Sequence, residues 1–243
     1  MEAPTTPTEN DLIERLPKTV RKRFLALCEP FELVLSAELS VRGTELSHAY
    51  FPRTGFISLV IDIDSHPPLE VGMVGHEAML GSELVLGLAK TPWRALVQGE
   101  GSSWRIESKV LRKAMDEMPA LNDLVRRTLM VRLHQQALSS ACERFHPIEQ
   151  RLARWLLMSQ DRADADHFHV TQEFMSLMLG VRRVGVTQAA TELQKGGLIQ
   201  YTRGELKVLD RSGLKDKACS CYEADKLLHT ALMNAKTSAW PVV

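Results

Sequence analysis

Apolar positions change their spacing twice along the chain. Between Phe31 and Ile106 they alternate loosely in short runs, FELVLSAELSV, AYFPRTGFISLVIDID, LEVGMVGH and RALVQGEGSSWRI, punctuated by Gly43, Gly55, Gly75, Gly87 and Gly101. Short strands at such spacing predict a small β-roll or β-barrel. Ahead of them, DLIERLP and KTVRKRFLALCEP read as short amphipathic helices broken by Pro17 and Pro30, after a loose tail over residues 1–10. From Ser108 the period becomes helical. KVLRKAMDEMP is one short helix, and ALNDLVRRTLMVRLHQQALSSACERF continues without Gly or Pro. Within it Leu121, Leu124, Thr128, Val131, Gln135, Leu138 and Cys142 recur at alternating steps of three and four. That stripe is expected to form a two-fold dimer seam, with packing against the chain's own β-domain as the alternative.

Beyond Pro147, IEQRLARWLLMSQDR predicts a helix buried through Ile148, Leu152, Trp155, Leu156 and Met158 or Ser159. ADADHF reads as a polar link. Two compact helices follow, TQEFMSLMLG and RRVGVTQAATELQKGG, and then LIQYTRGELKVLD, a hairpin turning at Arg203-Gly204. Thr171 is placed to cap the first of these helices, and Glu173 suits its positive N-terminus. Phe174, Leu177 and Met178 are expected to bury one side. Gly180 falls where a tight helix–helix turn requires positive φ. Val186, Ala189, Ala190 and Leu193 make an apolar stripe on the second helix. The last thirty or so residues carry no strong signal.

Helix, glycine turn, second helix and β-hairpin is the arrangement of a winged helix-turn-helix. On the second helix, Val184, Gln188, Thr191 and Lys195 point away from the buried stripe, and Arg182 and Arg183 stand at its start. Arg pairs bidentately with guanine and Gln with adenine, and an apolar group can meet a thymine methyl. Thr187 and the helix N-terminus can hold phosphates. Thr171, Arg182, Arg183, Val184, Thr187, Gln188, Thr191 and Arg203 are therefore the expected DNA-binding residues.

Charge modifies this picture only locally. The 243 residues carry 30 Lys+Arg against 30 Asp+Glu, which excludes a protein that coats nucleic acid by bulk charge. From Arg182 to Arg211 six cations face three anions, a local net of +3. Affinity is then expected to rest on base contacts and helix termini, with weak non-specific binding. Hydrophobic residues at 44% and charged residues at 25% describe an ordinary globular chain. No run is long and apolar enough to cross a bilayer, and the N-terminus does not read as a signal peptide, so a soluble cytoplasmic protein is expected. The cysteines are Cys28, Cys142, Cys219 and Cys221. A lone C-x-C pair is a poor metal site, with only His229 nearby in sequence, so a structural or incidental role is expected and no cofactor or metal is assigned. No Ser/His/Asp, H-E-x-x-H or phosphate-loop pattern appears, which argues against an enzyme.

Over about residues 10–215 the sequence resembles the Crp/Fnr family of bacterial transcription regulators. The resemblance rests on HAYFPRTGFISLV, the long helix through 119–144, HPIEQRLARWLL, TQEFMSLMLGVRRVGVTQAATELQKGGLI and the wing YTRGELKVLD. It implies an α+β chain: a cyclic-nucleotide-binding-like β-roll (11–115), a dimerisation helix (116–145), a C-terminal winged helix-turn-helix (146–215) and a C-terminal tail (216–243). It further implies a homodimer on a palindromic promoter duplex, with RNA polymerase and an unidentified small effector as further partners and no membrane. Arg183 matches the family's recognition-helix arginine. Gln188 stands where a second base-reading arginine often lies, Val184 where a glutamate is common, and Arg182 replaces the usual Ser cap. In cyclic-AMP-binding relatives a Gly-Glu pair holds the ribose and an Arg-Ser pair the phosphate. Gly81 and Glu83, with Ser82 between them, echo the first element, while Thr91-Pro92 stands at the second and Arg94 lies on the following strand. Gly81, Ser82, Glu83 and Arg94 are thus the expected ligand-binding residues, for an effector other than cyclic AMP. The N-terminal cysteine cluster of oxygen-sensing members is absent, and no His is singled out for haem. The alternative is a module that binds a cyclic nucleotide or dinucleotide and acts mainly through protein contacts.

Overall fold

The computed structural model describes residues 9–64, 68–163 and 165–234. Residues 1–8 of the expected tail, Asp164 of the expected link and the last nine residues lie outside them. The alternating runs form two antiparallel sheets. In one, β1 (Glu29–Leu33), β7 (Gly101–Glu107) and β3 (His48–Pro52) lie in the order β1-β7-β3. In the other, β2 (Glu38–Ser40), β6 (Arg94–Gly99), β4 (Phe56–Ile61) and β5 (Leu69–Val74) lie in the order β2-β6-β4-β5. Leu33, Tyr50, Ile57, Leu59, Val74, Leu80, Ala95 and Val97 share a buried core between them. Each such aliphatic or aromatic side chain contributes about 1.5–3 kcal/mol by leaving water. A 3₁₀ turn, Ser82–Leu86, separates β5 from β6. Three short helices, α1 (Asp11–Glu14), α2 (Lys18–Leu25) and α3 (Ser108–Glu117), cover one end of the roll. There Phe24 meets Phe51 edge to face, with ring centroids 5.3 Å apart.

α4 (Pro119–Phe145) begins with Pro119 in its first turn, where a missing N–H costs nothing. The stripe read as a dimer seam is covered within the single chain. Leu121, Leu124 and Val131 belong to the core of the roll, and Gln135 Nε2 donates to Asp225 Oδ2 at 3.3 Å. Cys142 is buried against Cys219 and Cys221, with Leu138 packed on the group. Periodicity alone identifies a covered face and not what covers it, so the alternative of intramolecular packing is the one the structure has. The opposite face carries Met130, Leu133, Ala137 and Ala141, all exposed, with Leu133 at 63%.

The second domain comprises α5 (Ile148–Ala163), β8 (His167–His169), α6 (Gln172–Leu179), α7 (Arg183–Lys195), β9 (Ile199–Thr202), β10 (Glu205–Val208) and α8 (Arg211–Lys217). The expected polar link contributes β8, which pairs with β10 and makes the hairpin a three-stranded sheet, β8-β10-β9. The C-terminal region, featureless in its residue pattern, forms α9 (Cys221–Asn234) after α8. Leu232 and Met233 of α9 join the core around α4, and Arg15 donates to Asn234 at 2.6 Å. No helix among the described residues is long and apolar enough to cross a membrane.

The two domains share a buried boundary. Phe56 and Met73 of the roll enter the same hydrophobic core as Leu152, Trp155, Leu156 and Val186. Trp155 Nε1 donates to Glu70 Oε1 at 3.0 Å, and Arg162 pairs with Glu77 at 2.8 Å. Burial pushes the Glu77 carboxyl up, but Arg162 and then His76 outweigh it and hold it below the usual carboxylate range.

Candidate nucleic-acid interface

α6 starts at Thr171, whose hydroxyl oxygen accepts from Phe174 N at 3.0 Å. That leaves its own hydrogen free for a ligand. Met175, Met178 and Leu179 are the buried residues of α6, whereas Phe174 and Leu177 are only half-buried. Gly180 closes the helix at φ 61°, a left-handed cap, and a Cβ there would lie 3.0 Å from Leu69 Cδ1 of the roll. Both the turn and the domain contact therefore favour glycine at this point.

Arg182 is the N-cap residue of α7 and contributes no side-chain capping bond, leaving the first N–H groups of the helix without one. Val186, Ala189, Ala190 and Leu193 are all buried, fixing which face of α7 looks inward. The outward face then holds Arg183, Val184, Gln188, Thr191 and Lys195, all exposed, with Val184 at 61%. Among the described residues Arg182 and Arg183 make no ion pair. The N-terminal end of α7 borders an open cleft of about 700 Å³ between the two domains, lined by Leu69, Leu177, Gly180, Val181, Arg182 and Arg183 among others. Thr187 is the exception within the expected set. Its hydroxyl lies 2.9 Å from Gln172 Oε1 and 3.0 Å from Arg183 O, so a phosphate would have to displace a bond inside the domain. Arg203 stands at the tip of the wing with φ 54°, followed by Gly204 at φ 89°, the successive positive angles of a two-residue hairpin turn.

The four residues expected at an effector site divide. Gly81, Ser82 and Glu83 lie at the 3₁₀ turn facing α4, all buried. Arg94 begins β6, and its ion pair, at 3.9 Å, is with Asp62. Arg132 of α4 lies within electrostatic reach of Glu83. Burial brings its guanidinium down to about 10, against the opposing pull of Glu83 and then Glu77. The space between the turn and α4 is a cavity of about 20 Å³, lined by Ser82, Thr128, Val131 and Arg132 among others. That holds roughly one water and no nucleotide. Sequence spacing could not announce Arg132, because Glu83 lies 49 positions upstream on another element.

A roll, a long helix and a helix-turn-helix with an exposed second helix define a two-domain architecture. Residues 150–217 match the Crp-like helix-turn-helix domain. Solved structures share the overall fold. FixK2 from Bradyrhizobium japonicum aligns with a TM-score of 0.67 at 14% identity, covering 79% of this chain and 98% of its own. The c-di-GMP responsive global regulator CLP of Xanthomonas campestris aligns at 0.64 and 16% identity, covering 79% and 99%. A CRP-family transcriptional regulator from Thermus thermophilus aligns at 0.63 and 22% identity, covering 78% and 96%. A search of curated proteins gave no match. The chain thus carries a Crp-like helix-turn-helix domain on the fold of the Crp/Fnr transcription regulators.

Proposed function

We propose that the protein is a cytoplasmic, homodimeric transcription regulator that binds a palindromic promoter site through α7. The observation that carries this reading is the outward face of α7, with Arg183, Val184 and Gln188 exposed behind the Gly180 turn and followed in the chain by the wing with Arg203 at its tip. Residues 11–115 would serve as the sensor, 116–145 as the dimerisation helix and 146–215 as the reader of DNA. Major-groove entry by α7 presents Arg183 to a guanine and Gln188 to an adenine, with Val184 against a thymine methyl. Thr171 and the α7 N-terminus would take phosphates. Half-sites about 34–36 Å apart follow from two-fold symmetry.

Footprinting on genomic fragments tests the reading directly, and the absence of any protected palindrome at moderate salt would defeat it. Arg183→Ala is expected to cost about 1–3 kcal/mol of binding, concentrated at one base position. Uniform weakening over all sequences would instead make Arg183 a phosphate contact.

The exposed stripe Met130, Leu133, Ala137 and Ala141 supports a second copy as the partner of α4. Steps of three, four and four place these residues along one side of α4. Leu133→Glu is expected to convert the dimer to a monomer in light scattering and to remove palindrome binding while single-domain unfolding is unchanged. A dimer of undiminished stability would place the contact elsewhere. For the effector, the small cavity at the 3₁₀ turn, where Glu83 is buried with its Oε1 lacking a hydrogen-bond partner, supports a ligand other than cyclic AMP. Calorimetry with cyclic mono- and dinucleotides checks this.

A further inference from the structure

Where α4 ends, the fold gathers four metal-ligating side chains that are scattered in the sequence. Cys142 lies in the last turn of α4, and His146 is the extended residue that caps it, its N–H donating to Cys142 O at 3.0 Å. Cys219 lies in the turn after α8, and Cys221 is the first residue of α9. Their four donor atoms all lie within 4.8 Å of one another. Cys142 Sγ is 3.5 Å from Cys219 Sγ, and Cys221 Sγ is 3.6 Å from His146 Nδ1. All three cysteines are buried and none is in a disulfide.

We propose that Cys142, His146, Cys219 and Cys221 form a mononuclear tetrahedral zinc site at the joint between the long helix and the DNA-binding domain. Zinc–sulfur bonds of about 2.3 Å and zinc–nitrogen bonds of about 2.0 Å give tetrahedral edges of roughly 3.5–3.8 Å. The two distances between donor atoms, 3.5 Å and 3.6 Å, already lie near those edges. Iron–sulfur clusters interpose several irons and sulfides between their thiolates, so a set this tight suits a single ion. Three thiolates, one neutral imidazole and a dication sum to one negative charge. Arg154 lies beside the group, lining the same cavity as Cys142, with its Nε buried and without a hydrogen-bond partner. Its guanidinium offsets that charge.

Binding of the dication releases the thiol protons to solvent, leaving each sulfur as a thiolate ligand. The C-x-C pair carries no such meaning by spacing alone. Its two further ligands sit more than seventy positions earlier, and His229, its nearest histidine in sequence, lines a different cavity with Asp11 and Arg162.

The test uses the full chain, purified reduced and without chelators. Elemental analysis should find one zinc per chain. After the zinc is removed, cobalt(II) should give the intense visible bands of tetrahedral coordination with sulfur-to-cobalt charge transfer, and zinc should abolish both. Cys219→Ser combined with Cys221→Ser should bind neither ion. His146→Ala, at a half-buried position that spares the thiol core, should retain the fold and weaken cobalt binding by more than the roughly 10–100-fold typical of losing an outer-shell partner. A reduced protein that stays metal-free and gives no thiolate–cobalt spectrum would overturn the proposal. So would undiminished zinc in the double variant, or a Cys142–Cys219 disulfide in protein purified without oxygen.

Discussion

Replacing Arg162 with Ala is expected to lower the unfolding free energy by about 3–5 kcal/mol, because it strands a carboxylate inside the domain boundary. Arg162 is only 6% exposed. Its Nε and Nη2 both reach Glu77 Oε1, at 2.9 and 2.8 Å, and its Nη1 donates to Met158 O at 2.9 Å. Truncation removes all three bonds and leaves Glu77 facing a low-dielectric site, where a lone charge is costly. The measurement is a urea titration, in which the midpoint should fall with little change in slope. A double variant, Arg162→Met with Glu77→Gln, should recover much of the loss because no charge is left unpaired. If the single and double variants lose equally, the cost lies in packing and the ion pair contributes little.

Trp155→Ala is expected to cost a similar amount, about 3–5 kcal/mol, and to carry a pH signature that distinguishes it. Trp155 is 5% exposed and lies near Phe168 and Phe174, with ring centroids 6.5 and 6.4 Å away. Its indole N–H supports Glu70, whose carboxyl also accepts from Ser58. Burial raises that carboxyl to about 7, against the lowering effect of the Ser58 and Trp155 hydrogen bonds. Between the ordinary carboxylate range and about 7 the folded state therefore binds more protons than the unfolded one, and stability falls as pH rises, by at most about 1.4 kcal/mol per unit. Trp155→Phe keeps most of the ring and removes the donor, so the Glu70 carboxyl should rise further and the decline should continue to higher pH. Urea unfolding at pH 6 and pH 8.5 checks this. A deficit in Trp155→Phe that is the same at both values would show that the indole bond does not act on Glu70.

The second helix of the helix-turn-helix was legible because its evidence is local. Val186, Ala189, Ala190 and Leu193 fix one face, and the remaining positions face outward wherever the domain sits. Gly180 and the Arg203-Gly204 turn were legible for the same reason, as each requires a backbone angle that the residue type advertises. The stripe on α4 was not, because an apolar period does not say whether a neighbouring domain or another copy covers it. α9 left a weaker trace in Cys221, Tyr222, Asp225, Leu232 and Met233, a helical spacing diluted by a buried aspartate. The charged groups at the domain boundary gave no signal at all. Glu70, Glu77, Arg132 and Arg162 look like surface residues in a sequence, and only the fold makes them interior.

The return of α9 to α4 has a topological consequence. Residues 148–217 leave the long helix beside Cys142 and rejoin it beside Cys219, whose sulfurs are 3.5 Å apart. The helix-turn-helix module is therefore an insertion, with entry and exit at a single point, in a scaffold made of the roll and the α4–α9 pair. The chain connectivity thus supplies one attachment only, and the module's seat against the roll is set by the shared core of Phe56, Met73, Leu152 and Trp155 and by the Arg162–Glu77 pair. Any motion of the module relative to its scaffold has to open that boundary.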